Sequence, residues 1–528
     1  MTRGRGARMS EPTTLTALLR TRAQGPERPF LLTADGPVTY ADLDAMSDRF
    51  ATALHHLGLR KGDRIGVAAP NGIPWLVTWF AASKIGCILV TLNVVYREQE
   101  FRHMLRQSGA RAVVCVNEFG GFEFEPFLDR LLPQTPSVEH AIFIGRPGTE
   151  GRLRFEELLQ TPADPAVLRQ TAEPDDASVI LYTSGTTGEP KGAVLTHASI
   201  LASARGQVDR LAQAADDVTI GHMPLTHVGG MTCTIASTLE AGGRVSLVPS
   251  FNPKQSLELI ARDRITIMVG VPTMFGMILS LLEANQVDTS SVRVCVIGGS
   301  NVEPTMAQHL KRAFPGARLA NLYGLSECSG ASVISRAEDG LQTITDTIGA
   351  PLAGVEARIV DGSGQPLPPD TIGELQIRGD AVAQGYWDLP ETTARTFSTE
   401  GWLSTGDVAV LTEDGHVSLR GRLKEMYVRG GYNVYPAEIE NLLAVHPSVA
   451  MSAIVGVPDA KWGETGHAFV VAREGAVVDV EALRELCETQ LAEYKVPDGF
   501  TVVDSLPLTP AGKIRKVELR DRAVESPH

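Results

Sequence analysis

Short apolar runs rich in β-branched residues alternate with helix-like stretches along the first 300 residues, and this alternation most constrains the fold. Before the first of these runs, the stretch Leu43–Leu59 carries apolar residues at helical spacing. Alternating β and α elements predict an α/β fold with largely parallel sheets flanked by helices. The runs are Arg64–Ala69, Cys87–Leu92, Ala112–Val116, Ala141–Gly145, Val179–Tyr182, Arg244–Pro249, Ile267–Val271 and Val292–Ile297.

The amino-acid composition changes over residues 415–431, and this change divides the chain into two parts. Glycines and charges cluster there, and a compact α+β pattern of roughly 100 residues follows. Pro436 is placed to open a helix, a strand is expected over residues 449–457, and a second apolar helix face follows near Leu483. The pattern predicts a large N-terminal body of parallel and mixed sheets and a small C-terminal α+β domain, joined by a hinge.

Composition and charge exclude several classes of protein. Of the 528 residues, 43% are apolar and 21% charged, which is ordinary globular usage and argues against a disordered, fibrous or coiled-coil chain. The net charge of −14 gives no reason to expect a nucleic-acid partner. The six cysteines are scattered without a CxxC pair, so we expect no zinc site, no disulfide framework and a cytoplasmic setting.

Neither the N-terminus nor the longest apolar stretch predicts a membrane segment. Residues 1–10 are basic but lack the apolar region of a secretory signal, so we expect a flexible tail. The apolar stretch Pro74–Val95 is interrupted by Lys84 and Gly86. A helix followed by a strand therefore fits this stretch better than a transmembrane span.

A loop dense in glycine and hydroxyl side chains follows the buried run that begins at Val179. Glycine lets backbone N–H groups approach an anion, hydroxyls donate further hydrogen bonds, and a lysine adds positive charge, as a polyphosphate requires. The spacing of a Walker A loop is absent, so a P-loop NTPase is not predicted. The residues concerned are Thr183, Ser184, Gly185, Thr186, Thr187, Gly188 and Lys191.

This segment, YTSGTTGEPKG, resembles the phosphate-loop signature of the adenylate-forming (ANL) superfamily, which includes acyl-CoA synthetases, peptide-synthetase adenylation domains and beetle luciferases. The resemblance extends from about Thr14 to Lys516, with further motifs in the expected order. It implies an AMP-forming acyl-CoA synthetase of the fatty-acid-CoA ligase type. Such an enzyme uses ATP, Mg²⁺ and CoA with a small-molecule carboxylic acid. Lys191 is implied as a catalytic cation.

Three further motifs resemble the nucleotide site of that superfamily. NLYGLSE resembles its YGxTE motif, with Ser326 in place of the commoner Thr, and implies Glu327 as the Mg²⁺ ligand. TGD implies a carboxylate that binds the ribose hydroxyls, and GRLKE implies an arginine on ribose and phosphate. The implied ATP- and AMP-binding residues after the loop are Gly299, Ser300, Asn321, Tyr323, Gly324, Ser326, Asp407 and Arg422.

The implied acyl pocket centres on His227 in MPLTHVGG, which resembles the pocket histidine of the family and is predicted to be catalytic. Its neighbours are apolar or small, and no cation converges on them, so a fatty, aryl or polycyclic terpenoid-like acid fits better than an amino acid. The other implied pocket residues are Val228, Gly229, Gly230, Met231, Gly298 and Leu325.

The C-terminal motifs imply a moving domain and a path for CoA. Lys424 matches the hinge position, which sets the expected boundaries: a tail over residues 1–10, an adenylation body over 11–423 and a lid domain over 424–528. Lys513, in PAGK, resembles the catalytic lysine that reaches the reacting carboxylate. The implied CoA-tunnel residues are Gly430, Gly431, Tyr432 and Trp462.

One departure leaves alternatives open. Relatives often carry basic residues where this chain has Asp498, Gly499 and Leu508, and such cations can contact the phosphates of CoA; Arg515 or Lys516 could compensate. An acyl-adenylating enzyme that hands acyl-AMP to a partner ligase or carrier protein is therefore the alternative. A catalytically silent homologue is a third reading, against which the intact set of motif residues argues. A homodimer is compatible with the sequence.

Overall fold

The computed structural model describes residues 12–145, 148–149, 151–169, 172–183, 190–285, 287–508 and 514–525. Two large sheets dominate the N-terminal body. The first has seven strands, which are parallel except for the antiparallel edge hairpin of its first two strands. In spatial order they are Lys191–Thr196, Ala177–Thr183, Ile88–Thr91, Arg64–Ala68, Ala112–Val116, His140–Ile144 and Leu153–Arg154.

The second sheet has nine strands with a parallel centre and antiparallel edges. The carboxyl ends of its parallel strands all lie on the same side of the sheet. Residues that follow these strands therefore lie together there, which is where ligands bind in open α/β sheets. In spatial order the strands are Ala350–Pro351, Gly330–Ile334, Arg318–Leu325, Val294–Gly298, Ile267–Gly270, Val218–Gly221, Arg244–Leu247, Pro29–Thr33 and Gly36–Thr39.

Helices cover these sheets, and one helix is buried on all sides. In Ile73–Lys84 every residue from Trp75 onward is buried, as expected for a helix that is apolar all round. Lys84 ends it with its ammonium between Asp44 (2.5 Å) and Asp48 (2.6 Å). The other helices of eight or more residues described in the N-terminal body are Leu15–Ala23, Tyr40–His56, Glu98–Ser108, Phe124–Leu131, His197–Leu211, Pro253–Arg262, Pro272–Ala284 and Pro304–Ala313.

A smaller antiparallel sheet follows in the chain and leads towards the C-terminal domain. Its last strand ends at Arg422, and its strands are Val355–Val360, Ile372–Gly379, Leu403–Leu411 and Val417–Arg422. The shorter elements of the body are the helices Phe155–Leu158, Val228–Gly230, Ser237–Ala241, Leu341–Asp346 and Pro390–Thr396, the 3₁₀ turns Leu132–Gln134 and Ser326–Cys328, the π-helical turn Met231–Ala236, and the hairpin Glu118–Phe119 with Phe122–Glu123.

The C-terminal part has its own sheet and its own apolar core, which includes Tyr427, Leu443 and Phe500. Three helices accompany the sheet: Pro436–Ala444, Val480–Gln490 and Lys516–Glu525. A 3₁₀ turn covers Glu493–Lys495. The five strands are Tyr432–Val434, Tyr427–Arg429, Gly463–Ala472, Val449–Asp459 and Gly499–Val503.

The predicted fold class is confirmed. The strands expected from apolar runs are present, and the helix expected over Leu43–Leu59 runs from Tyr40 to His56. Pro436 opens a helix, as predicted. In the part of the chain that the structure describes, no helix combines the length and apolar character needed to cross a bilayer.

All six cysteines are buried and unbridged. Burial is the largest cause of the raised pKa of each thiol, which reaches about 12 for Cys87 and about 11 for Cys487.

Candidate functional site

The phosphate-type loop joins the two strands of the edge hairpin of the seven-stranded sheet. Thr183 and Lys191 face each other in the last pair of the hairpin, so they stand at the base of the loop. Gly192 packs against the preceding strand, since a Cβ there would lie 2.5 Å from a methyl of Ile180. The predicted residues Ser184, Gly185, Thr186, Thr187 and Gly188 lie outside the described residues.

The Gly-Gly-Ser segment lies at the carboxyl end of the parallel strand Val294–Gly298, where ligands are expected. Gly299 has φ +85°, a conformation that favours glycine, and a Cβ there would lie 3.2 Å from Val271. Ser300 is exposed beside it. The segment therefore presents open backbone at the end of a parallel strand.

The next strand, Arg318–Leu325, carries the residues of NLYGLSE. Gly324 cannot be replaced here without backbone movement, because a Cβ would lie 1.8 Å from the carbonyl oxygen of Gly330. Asn321 is buried and donates its amide to the carbonyls of Ile344 (3.2 Å) and Thr347 (3.0 Å). Its Oδ1 has no partner among the described residues. A buried acceptor of this kind suits a donor such as the amino group of a base.

Asp407, Arg422 and Tyr323 form one hydrogen-bonded group. The Asp407 carboxylate accepts from the Tyr323 hydroxyl at 2.6 Å and from Arg422 Nε at 3.0 Å. Asp407 and Arg422 are direct partners across neighbouring strands, which explains why TGD and GRLKE meet. Burial, then the Asp407 charge, raises the pKa of Tyr323, so its hydroxyl stays a donor.

Arg422 keeps its charge in this group. Burial lowers its pKa, but the charges of Asp407 and Glu425 outweigh that effect and hold the pKa above the usual value. The link between Tyr323 and Asp407 was not predicted, because the resemblance implied each residue only as a separate contact to the nucleotide. The two residues are 84 positions apart, and no local pattern marks their contact.

Glu327 and Lys191, both predicted catalytic residues, lie on either side of Tyr386. The Tyr386 hydroxyl donates to Glu327 Oε1 at 2.8 Å, and Lys191 Nζ lies 5.5 Å from the centre of the tyrosine ring. Ser326 opens the 3₁₀ turn that contains Glu327. Tyr386 was missed by sequence reasoning, since the segment around it resembles an ordinary loop. Within the described residues, no cluster of three or more metal-binding side chains is found.

Five of the seven predicted acyl-pocket residues, His227 to Met231, form the start of one helical segment. His227 is its N-cap and accepts from Gly229 N at 3.0 Å, and Val228, Gly229, Gly230 and Met231 are buried. Gly230 lies so close to the preceding turn that a Cβ would be 2.2 Å from the carbonyl oxygen of Pro224. The π-helical turn after it is a feature often found at functional sites.

The acyl-pocket helix and the Glu327 turn meet at Gly330. Leu325 pairs with Gly330 in the sheet, and a Cβ on Gly330 would lie 3.2 Å from Cys233 Sγ in the helix. Gly298 belongs to the same region, because a Cβ there would lie 3.3 Å from the carbonyl oxygen of Leu322. The structure therefore brings the predicted acyl and nucleotide residues of the body together.

The predicted CoA-tunnel residues lie in and beside two neighbouring turns of the C-terminal sheet. Gly430 N donates to Trp462 O at 2.8 Å, and a Cβ on Gly430 would lie 3.0 Å from the indole. Gly431 follows with φ +87°. Tyr432 stacks on Tyr494 with ring centres 4.6 Å apart. Trp462 is 41% exposed, so it is not a buried packing residue, and Lys461 Nζ lies 4.4 Å from the centre of its ring.

The residues that depart from the family pattern have structural roles. Asp498 binds Arg429 at 2.7 Å, and Gly499 allows the close approach of His467, whose Nδ1 would lie 2.3 Å from a Cβ. Leu508 is 45% exposed and pairs with Ile514, which closes the segment that contains Lys513. Lys513 itself lies outside the described residues.

The two cations suggested as substitutes for the CoA-binding residues, Arg515 and Lys516, are both paired with carboxylates. Arg515 pairs with Glu518 at 2.6 Å. Lys516 lies between Glu425 (2.6 Å) and Glu440 (2.8 Å), and these charges outweigh burial and raise its pKa. Lys516 therefore ties the last helix to the start of the C-terminal domain.

We expect Lys516→Met to lower the free energy of unfolding of the C-terminal domain by about 1–2 kcal/mol, because two carboxylates lose their shared, partly buried cation. Urea denaturation of the full chain measures the effect. As a matched control, Arg515→Gln breaks an exposed pair and should cost well under about 1 kcal/mol. Equal losses for both variants would contradict this account of the last helix.

Comparison with known proteins decides the family. The family model described as AMP-binding enzyme matches residues 18–387, and the model for the AMP-binding enzyme C-terminal domain matches residues 438–513. The chain belongs to the AMP-binding enzyme family. Its site residues thus lie in an adenylate-forming enzyme of two parts.

Individual relatives cover nearly the whole length of this AMP-binding enzyme. A feruloyl-CoA synthase from Amycolatopsis is 35% identical, with 92% of this chain and 94% of the relative covered. The mitochondrial medium-chain acyl-CoA ligase of Mus musculus is 31% identical, with 92% and 83% covered. The ATP-bound structure of MatB from Rhodopseudomonas palustris is 30% identical and superposes with a TM-score of 0.88, covering 97% and 99%.

These findings establish the class of reaction. The AMP-binding enzyme described here is an AMP-forming acid–CoA ligase that uses ATP and CoA.

Proposed function

We propose that this chain activates a hydrophobic carboxylic acid with Mg-ATP to acyl-AMP and pyrophosphate, and then transfers the acyl group to CoA. The observation that carries the proposal is the group formed by Asp407, Arg422 and Tyr323. A buried carboxylate on an antiparallel strand suits the two hydroxyls of a ribose, and the adjacent guanidinium suits a phosphate. Tyr323 also connects this group to the strand that leads to Glu327.

The first half-reaction needs positive charge, because two anions must meet. A carboxylate oxygen of the acid attacks the α-phosphorus, the new O–P bond forms, and the P–O bond to pyrophosphate breaks. A unit charge pair at 4 Å is worth about 1 kcal/mol in water and about 4 kcal/mol at an effective dielectric constant of 20. A closed site that contains Lys191 and Lys513 therefore favours the reaction.

Mg²⁺ fits the residues present. Glu327 supplies a carboxylate, the hard oxygen ligand that Mg²⁺ prefers, and the Tyr386 hydroxyl fixes that carboxylate at one oxygen. When bound, the ion supplies further neutralisation of the triphosphate charge. This chain's residues hold the nucleotide: Asp407 and Arg422 at the ribose, Asn321 Oδ1 at the base, and the loop after Thr183 at the phosphates.

In the second half-reaction the CoA thiol attacks the acyl carbon, the new C–S bond forms, and AMP leaves with the former carboxylate oxygen. We propose that the segment of Lys513 then gives way to the face of the C-terminal domain formed by Gly430, Gly431 and Tyr432. Glycine at two positions permits the close approach of a thin pantetheine arm. Lys424 is proposed as the hinge of this exchange.

The acid is proposed to be hydrophobic, of the fatty, aryl or polycyclic type. Support comes from the buried, small and apolar residues that follow His227, and from the absence of a cation among the predicted pocket residues. The relatives named for feruloyl and medium-chain acids are ligases of such acids. His227 is proposed to stand at the pocket entrance, beside the reacting carboxylate.

The alternative, acyl-adenylate formation with weak transfer to CoA, is favoured by one observation. Two cations of the C-terminal domain are engaged by carboxylates: Arg429 by Asp498, and Lys516 by Glu425 and Glu440. The phosphates of CoA would then rely on other groups or bind weakly.

A single assay separates these functions. The enzyme is incubated with Mg-ATP and a panel of hydrophobic acids, with and without CoA, while pyrophosphate and acyl-CoA mass are measured. The proposal expects acid-dependent pyrophosphate release and one molecule of acyl-CoA for each pyrophosphate. Pyrophosphate without acyl-CoA supports the alternative. If no acid releases pyrophosphate, the proposed acid class is wrong.

The hinge proposal makes its own prediction. Lys424→Pro should slow thioester formation by about tenfold or more and spare adenylation, because proline fixes φ at its own position and restricts the residue before it. Single-turnover measurements of the two half-reactions test this. Lys424→Ala is the matched control, since it removes the side chain but leaves the backbone free. Unaffected thioester formation in the proline variant would contradict the hinge.

Two finer proposals concern the whole molecule. A homodimer and a cytoplasmic location are both proposed from the sequence. Light scattering of the purified chain and fractionation of the source cells test them.

A further inference from the structure

Residues 383–387, named here the linking segment, connect two parts of the candidate site. On one side, Ala383 N donates to the backbone carbonyl of Glu327 at 2.8 Å. On the other side, the segment pairs with the strand Lys191–Thr196, which follows the phosphate-type loop. Three backbone hydrogen bonds make this pairing: Val194 N to Gly385 O (2.9 Å), Gln384 N to Val194 O (3.0 Å) and Trp387 N to Gly192 O (2.8 Å).

Tyr386 extends this connection to the side chains. Its hydroxyl donates to Glu327 Oε1 at 2.8 Å, and Lys191 Nζ lies 5.5 Å from its ring centre, within reach of a cation–π contact. One tyrosine therefore contacts the predicted Mg²⁺ ligand with its hydroxyl and the predicted phosphate-binding lysine with its ring.

The side chain of Tyr386 is itself held in place. Its backbone N–H donates to Thr393 Oγ1 at 2.9 Å, and its ring packs edge-on against Phe397 at 5.6 Å. A donor fixed in this way restricts the rotation of the carboxylate that it binds.

We propose that Tyr386 is a positioning residue of the Mg-ATP site, which fixes the Glu327 carboxylate through its hydroxyl and places Lys191 beside it through its ring. The inference rests on the proposed function of Glu327 and Lys191. Partners that orient a metal-binding carboxylate typically change metal affinity by about 10–100-fold when removed. Tyr386 acts through Glu327 and need not touch the ion or the nucleotide.

The test measures metal binding without catalysis. Mn²⁺ binding to the full-length protein in the presence of α,β-methylene-ATP, which cannot release pyrophosphate, is followed by electron paramagnetic resonance. Tyr386→Phe removes one oxygen atom and keeps the ring. We expect about tenfold weaker Mn²⁺ binding, together with a matching rise in the Mg²⁺ concentration for half-maximal pyrophosphate release and an unchanged KM for CoA.

Two further variants sharpen the test. Tyr386→Leu also removes the ring, and we expect it to raise the KM for ATP by about threefold or more beyond Tyr386→Phe, in line with a cation–π contact of at least about 0.5–1 kcal/mol. Tyr40→Phe is the matched control, because the Tyr40 hydroxyl donates to the backbone carbonyl of Gly243, away from the site. It should leave Mn²⁺ binding unchanged.

The outcomes distinguish this inference from the proposed function. Unchanged Mn²⁺ affinity in folded Tyr386→Phe overturns the positioning role, as does a wild-type protein that binds no Mn²⁺ with the analogue. Weakened Mn²⁺ binding supports the role even if no acid of the panel releases pyrophosphate, in which case the acid assignment alone fails. A Tyr40→Phe variant that weakens Mn²⁺ binding equally also overturns it, because the effect would then be general destabilisation.

Discussion

Replacing Lys513 with alanine is expected to slow acyl-adenylate formation by about 10²–10³-fold and to spare thioester formation from supplied acyl-AMP. The reason is electrostatic. In the first step a carboxylate approaches the α-phosphate, and a lysine ammonium at the reacting oxygens lowers the energy of the crowded anions. In the second step a thiol attacks and AMP leaves, so the same ammonium is no longer needed at that place.

The measurement uses two separate assays on one preparation. Acid-dependent exchange of labelled pyrophosphate into ATP reports adenylation, and acyl-CoA formed from synthetic acyl-AMP reports thioester formation. Lys495→Ala is a matched control, since Lys495 pairs with Glu438 at 2.7 Å in the C-terminal domain and should affect neither step strongly. Equal loss of both half-reactions in Lys513→Ala would refute the division of labour.

Asp407→Asn is expected to raise the KM for ATP by roughly 10²-fold, since hydrogen bonds to a charged group are worth about 1.5–3 kcal/mol each and the carboxylate is proposed to accept from two ribose hydroxyls. The substitution keeps the shape of the side chain but turns one acceptor into a donor. That donor faces Arg422 Nε or the Tyr323 hydroxyl, both of which now donate to Asp407.

Binding of ATP by isothermal titration calorimetry, together with steady-state kinetics, checks this value. Asp217→Asn is the control, because Asp217 is an equally buried carboxylate whose Oδ1 accepts from Arg293 Nε at 2.7 Å in another part of the body. It should lower stability without changing the KM for ATP. If both variants change the KM alike, the effect of Asp407 is structural and the ribose role is wrong.

Much of the fold was predictable because its elements are local. Apolar runs of strand length and the helical face of residues 43–59 follow from periodicity, which needs no knowledge of distant residues. The phosphate-type loop was also local, since its glycines, hydroxyls and lysine stand together between two strands. Pro436 marks a helix start because its fixed φ suits the first turn of a helix.

The contacts that organise the site were not predictable in this way. Tyr386 reaches Glu327 across 59 positions, and Lys516 reaches Glu425 across 91. Each pairing depends on which elements of the fold are neighbours, and that is decided by packing between segments far apart in the chain. Sequence pattern therefore identified residues by type and left their partners open.

Because its six cysteines are buried, we expect the folded protein to react very little with thiol-specific reagents. A thiolate is the reactive form, and all six pKa values lie far above neutrality. Consumption of the CoA thiol can then be followed with a colorimetric disulfide reagent at low background from the protein. The same reagent, added during heating, would react with each cysteine thiol as it becomes exposed. Thiol reactivity would therefore report how far the protein has unfolded.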